Sequence, residues 1–189
     1  MTYFNSRELA IVSLFSALWG ILNGLFAPIV FRIIGLPILC DMIGFASLSL
    51  TFWWVRKPGA VTIVGLIATL INFILNPGGI QFLGFTAASM VFDMAASSLG
   101  SKRMFRNAGV AITCLLLISI GSAAIAGLII GSFFMATPAL AAWGGVWGWA
   151  GVHGVGGIIG GLIGIVVITT LVSRKIQGFQ IGGNVHPPQ

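Results

Sequence analysis

Apolar residues run through this chain in long stretches, and the interruptions are brief: single charges, prolines and glycines. A helix crosses the hydrocarbon core of a bilayer with about 20 mostly apolar residues. Runs bounded by charges and by Pro or Gly predict helices over about 9–27, 38–55, 59–75, 81–99, 108–134 and 152–172. The fifth run is long enough to tilt or break. Connections fall at 28–37, 56–58, 76–80, 100–107 and 135–151. The pattern predicts an all-α membrane protein, one bundle of six transmembrane helices in a single domain over 1–189. Beyond the last span, 176–189 is polar and ends in Pro187-Pro188. It reads as a short flexible tail in which His186 is solvated.

Composition agrees with that picture. Of the 189 residues, 58% are hydrophobic and 6% charged, against roughly 25% charged in a soluble domain. The formal charge is +6, but the basic residues fall singly between apolar runs and form no nucleic-acid-binding face. Their placement sets orientation instead. Arg7, Arg56, Lys57, Lys102, Arg103, Arg106, Arg174 and Lys175, eight of the nine basic residues, share one side of the predicted plan, and Arg32 alone lies on the other. Basic residues near short loops stay cytoplasmic, and only an even number of spans puts eight of them together, so both termini are expected in the cytoplasm. The apolar run after Glu8 is too long for a cleaved signal peptide and is expected to remain as the first span.

Polar side chains in or near the spans concentrate at the outer helix ends: Asn23, Asn72, Asn76, Gln81, Trp143, Trp147, Trp149 and His153. A polar group in hydrocarbon is costly unless paired, so their convergence predicts a cavity. Segment 137–153 (TPALAAWGGVWGWAGVH) interleaves three tryptophans with glycines. Two readings stand side by side. The loop folds over the cavity with its indoles stacked on a flat ligand, or the tryptophans form an interfacial aromatic belt. His153 is either a ligand contact or a packed, satisfied histidine. Asp41 is either a counter-charge to a cationic ligand or to Arg32, or an interfacial acid in water. Arg32 suits a carboxylate or phosphate, or snorkels to the interface. Asp93, deep in the fourth span, reads as a structural hydrogen-bonding or coupling residue.

Small residues recur at four-residue spacing as Ser13-xxx-Ala17, Gly20-xxx-Gly24, Ala123-xxx-Gly127-xxx-Gly131, Gly157-xxx-Gly161 and Gly160-xxx-Gly164. Such ridges let helices approach closely, within the bundle or against another membrane protein. Ser13 and Ala17, on the outermost helix, are the candidate docking face. Cys40 and Cys114 lack CxxC spacing and read as packing residues, with no metal site. None of the three lysines, Lys57, Lys102 and Lys175, follows a glycine, so the chain carries no GxxxxGK[ST] phosphate loop. It also lacks GxSxG and HExxH.

The six-span plan with both ends inside, the Ser13-xxx-Ala17 ridge and the polar-aromatic outer pocket resemble the substrate-binding S component of an energy-coupling-factor (ECF) transporter. Arg56-Lys57-Pro58-Gly59-Ala60 and Asn76-Pro77-Gly78-Gly79 resemble the YkoE type. The resemblance implies a non-enzymatic, multi-pass subunit of the cell membrane that captures a vitamin, thiamin or its hydroxymethylpyrimidine precursor. It implies docking on a membrane coupling subunit driven by two ATPase subunits, with ATP used by those partners and no cofactor in this chain. Cobalt- and nickel-binding members use an N-terminal histidine, and Thr2 stands there instead. The alternative is a small pore-forming channel or facilitator, since the last two helices are rich in Gly and carry His153. An intramembrane Ser–His enzyme built on Ser119 or Ser122 lacks a recognisable arrangement.

Overall fold

The computed structural model describes residues 3–176; Thr2 and most of the expected tail, with His186, lie outside the described residues. Its long elements are α1 (Ser6–Ile34), α2 (Ile38–Val55), α3 (Ala60–Leu75), α4 (Leu83–Leu99), α6 (Ala108–Phe133) and α8 (Gly145–Ser173). A single turn, Ile80–Phe82, leads into α4, and two short helices, α5 (Ser101–Met104) and α7 (Thr137–Ala141), sit in connections. No strand occurs among the described residues. Five helices are long and apolar enough to cross a membrane, which makes the chain an all-α membrane protein. The expected third span, α3, is apolar but only 16 residues long, a rise of about 24 Å against a hydrocarbon core of about 30 Å.

Two boundaries differ from the sequence expectation. α1 runs past Pro28 to Ile34 instead of ending near residue 27. A proline removes one backbone bond, and within a bundle the rest of the ladder and the neighbouring helices sustain the helix. α1 stops at Gly35, whose left-handed backbone (φ 75) lets its N–H reach the Phe31 carbonyl at 2.8 Å. The second difference is at the last helix, which begins at Gly145 and not near 152, so that with α7 most of the expected loop 135–151 is helical.

α2 is the central element, touching α1, α3, α4, α6 and α8. Around it Trp19, Phe45, Leu48, Phe52 and Phe92 are almost fully buried. Close helix contacts follow the small residues. A Cβ on Gly20 or Gly24 would meet Ile71 or Leu75 of α3 at 2.8 Å, and one on Gly157 would meet Ala123 of α6. Leu14, Leu18, Ile21 and Leu25 stay exposed along α1, with Ser13 exposed and Ala17 half-buried beside them. This is an outward apolar face suited to lipid or another membrane helix.

Most charged residues lie toward one end. The Asn5 side chain caps α1 by accepting from the Glu8 N–H at 2.9 Å while Glu8 accepts from the Asn5 N–H at 2.8 Å. Lys57 Nζ lies 2.7 Å from the same Glu8 carboxylate, tying the start of α1 to the α2–α3 turn. Arg56 closes α2 in a left-handed conformation (φ 53), its guanidinium 4.7 Å from the centre of the Phe105 ring. Partial burial there holds that guanidinium below its ordinary pKa. Asp93 accepts from the Thr62 backbone N–H at 2.9 Å and from Ser97 Oγ at 3.2 Å. It therefore caps the first turn of α3 from a neighbouring helix, a hydrogen bond of the structural kind that is one of the two sequence readings of this residue.

Candidate functional site

At the opposite end the connections 35–37, 76–82 and 134–144 gather around a cavity of about 430 Å³. Its walls come from α1, the first turn of α2, the ends of α3 and α6, the start of α4, and α8. Asn23, Asn72, Asn76, Gln81, Trp149 and His153 are its principal polar lining. The aromatic wall is continuous: Trp149 and His153 have ring centres 5.3 Å apart, His153 and Phe85 5.5 Å, and Phe85 and Phe82 5.3 Å. Phe31 closes on Trp149 edge-on at 6.4 Å.

His153 is fixed from behind. Its Nδ1 lies 3.0 Å from Asp41 Oδ1, and both side chains are 1% exposed. The carboxylate oxygen accepts the Nδ1–H, a tautomer assigned from that bond, which orients the ring and turns Nε2 away from Asp41. The helices can approach this closely because Gly156 and Gly160 of α8 lie directly on Asp41; a side chain at either would collide with it.

Three of the lining side chains are unsatisfied. Both amide atoms of Asn23, the Trp149 Nε1–H and the His153 Nε2 have no hydrogen-bond partner among the described residues. Asn23 and His153 are 1% exposed and Trp149 2%. A buried polar group left unpaired costs about 1–3 kcal/mol; these atoms are enclosed within the cavity wall, and Trp19 Nε1, Asp41 Oδ2 and the hydroxyls of Ser49, Ser119 and Ser122 are likewise buried and unpaired outside the lining.

Of the residues singled out from the sequence, Trp149, His153, Asn72, Asn76 and Gln81 come together here. Trp147 does not: it is 80% exposed on the outer side of α8. Trp143 is also outside the lining, 6.0 Å from Trp149 between ring centres, and backs that indole. Asp41 is neither an interfacial acid in water nor a partner of Arg32; it is fully buried behind His153. Ala139 of segment 137–153 lines the cavity, as do Met135 and Ala136 just before that segment. Arg32 and Cys40 line it as well. Phe31, Phe82 and Phe85 were not singled out, because aromatic residues within apolar runs look like ordinary core. Ser119, packed against α8, and Ser122 are buried on α6, outside the cavity lining.

Comparison of the chain with protein-family models, with curated proteins and with solved structures found no match in any of the three.

Proposed function

We propose that this protein is the substrate-capturing S component of an ECF-type vitamin importer. It spans the cell membrane six times with both termini cytoplasmic, and its site takes a flat nitrogen heterocycle of the size of hydroxymethylpyrimidine or thiamin. The observation that carries this reading is the aromatic-walled cavity whose polar lining is Asn23, Asn72, Asn76, Gln81, Trp149 and His153. Its volume, about 430 Å³, falls within the roughly 300–1,000 Å³ of small-molecule sites. Aromatic faces favour a flat ring over a sugar or an inorganic ion.

Orientation is supported by the segregation of charge. The end bearing Arg56, Lys57, Lys102 and Arg103 is the cytoplasmic one, which turns the cavity outward. The outward face with Ser13 and Ala17 serves as the docking surface for the membrane coupling subunit, and two ATPase subunits supply the energy. In this scheme the chain is not an enzyme and holds no cofactor.

Transport assays in membrane vesicles test it. Vesicles carrying this chain with a coupling subunit and an ATPase pair are expected to accumulate labelled hydroxymethylpyrimidine or thiamin only when supplied with ATP. Uptake of the label by the chain alone, running down its gradient and indifferent to ATP, would overturn the capture reading in favour of a facilitator.

A further inference from the structure

Acidic side chains do not reach the cavity. Glu8 pairs with Lys57 at the other end, Asp93 caps α3, and Asp41 is enclosed behind His153. Arg32, in the last turn of α1, does line the cavity. It makes no ion pair and no side-chain hydrogen bond among the described residues, in contrast to Lys57 and Arg56 at the opposite end. Helix ends do not set the sign of the potential here. The amino ends of α2, α4 and α8 and the carboxyl ends of α1, α3 and α6 lie together at this end, so their partial charges largely offset one another. One full positive charge remains at the rim of the cavity, exposed to solvent on one side and beside apolar walls on the other.

We infer that the ligand of this cavity is an anionic heteroaromatic compound, a flat ring bearing a carboxylate or a phosphate monoester, and that Arg32 is the residue that selects its charge. The inference rests on the capture reading above, keeps its flat-ring ligand, and puts an anionic compound in place of the neutral and cationic candidates named there. The ring lies against Phe82, Phe85 and Trp149. Asn76 and Gln81, lining amides that each offer a donor and an acceptor, read a polar ring edge. The acid group takes the planar guanidinium fork, which matches the two oxygens of a carboxylate or phosphate. A permanently cationic ring such as thiamin is disfavoured, since no acid in the lining offsets its charge.

Binding to the purified full-length chain tests this, by calorimetry with matched pairs that share a ring. The pairs are hydroxymethylpyrimidine with its phosphate monoester, and pyridine-3-carboxamide with pyridine-3-carboxylate; thiamin serves as the cation. The expected result is that the anionic member of at least one pair binds tenfold or more tightly than its neutral partner. Which pair responds tells phosphate from carboxylate. Charge-assisted hydrogen bonds of this kind predict that Arg32→Gln weakens the anion about 10- to 100-fold and leaves the neutral member unchanged. Arg32 is exposed, so the variant is expected to retain the wild-type elution volume and melting temperature.

A neutral or cationic compound that binds as tightly as the anions, or an Arg32→Gln protein that keeps full affinity for them, overturns the inference while leaving the capture reading in place. Failure of every compound, of either charge, overturns both. By contrast, the second cavity, of about 500 Å³ between Trp53, Arg56, Phe105, α6 and α8, contains no unpaired buried polar side chain among the described residues.

Discussion

His153 Nδ1 and Asp41 Oδ1 meet at 3.0 Å across the α2–α8 contact, joining positions 112 residues apart in sequence. The bond does for His153 what an oriented partner does for any imidazole that must present one defined nitrogen. Asp41→Ala is expected to free the ring and leave both it and the surrounding cavity wall unsupported, destabilising the fold by about 1–3 kcal/mol. Asp41→Asn keeps the volume and one hydrogen bond and is expected to fold with a smaller drop in melting temperature. Both variants should bind ligand at least tenfold more weakly than wild type, as measured by calorimetry. Unchanged affinity in Asp41→Asn would show that the pair serves packing alone.

Gly156 is the residue that lets α8 close on Asp41, because a methyl there would strike the carboxylate side chain. Gly151, five positions earlier on the same helix, has open space around it. Overpacking of a close contact costs about 1–3 kcal/mol. Gly156→Ala is therefore expected to lower the melting temperature of the detergent-solubilised protein clearly, while Gly151→Ala leaves it unchanged or slightly raised. Equal melting temperatures for the two would argue against the close α2–α8 approach.

Asp93 is buried and costly to insert, and its work is structural: it accepts the Thr62 N–H at the start of α3, where Ala60 and Val61 are fully buried. Losing a side-chain cap costs about 1 kcal/mol. Asp93→Ala should show a loss of that order in thermal unfolding, with ligand affinity intact. A large fall in affinity instead would place Asp93 in the binding machinery.

Tryptophans 147 and 149 are neighbours in sequence but not in function. Two residues along a helix are separated by about 200° of rotation, so Trp149 enters the cavity while Trp147 points outward, 80% exposed. Trp149→Ala is expected to weaken ligand binding about tenfold through lost stacking. Trp147→Ala should leave it unchanged. The reverse pattern in equilibrium binding would relocate the site.

The outward face of α1 carries its own prediction. Ala17→Leu adds bulk beside exposed Ser13 and Leu14 without touching the cavity. It is expected to abolish ATP-dependent uptake in vesicles with the partner subunits while ligand affinity of the isolated chain stays at the wild-type value. Uptake at the normal rate would remove this face as the docking surface.

Much of the fold could be read from the chain because strong punctuation bounds its runs. Pro37 and Arg56-Lys57-Pro58 enclose α2 at the expected residues 38–55. The weaker readings came where one residue type carries two meanings. Pro28 looked like a stop but sits inside α1. Gly144, Gly145, Gly148 and Gly151 looked like a loop, since each glycine in a helix costs about 1 kcal/mol relative to alanine. In the bundle that segment is nevertheless helical from Gly145, and the close packing of α8 against α2 and α6 is made further along, at Gly156, Gly157, Gly160 and Gly161. The polar half of the site was legible from the position of Asn72, Asn76, Gln81 and His153 at one level. Which tryptophan faces inward was not, because a loop assignment gives no helical phase. The Asp41–His153 pair was hidden too, since it depends on helix register across a contact that no local pattern specifies.

The most direct test of the cavity as a capture site is a tryptophan-fluorescence titration of the purified, detergent-solubilised chain with hydroxymethylpyrimidine, its phosphate monoester, thiamin and a panel of other vitamins, run in parallel on Asn23→Ala and His153→Ala. Saturable quenching by one compound in the wild-type protein, shifted to at least tenfold higher concentration in both variants while their elution profiles remain those of folded protein, is the predicted result. A flat response to every compound, or a titration curve identical in all three proteins, would contradict it.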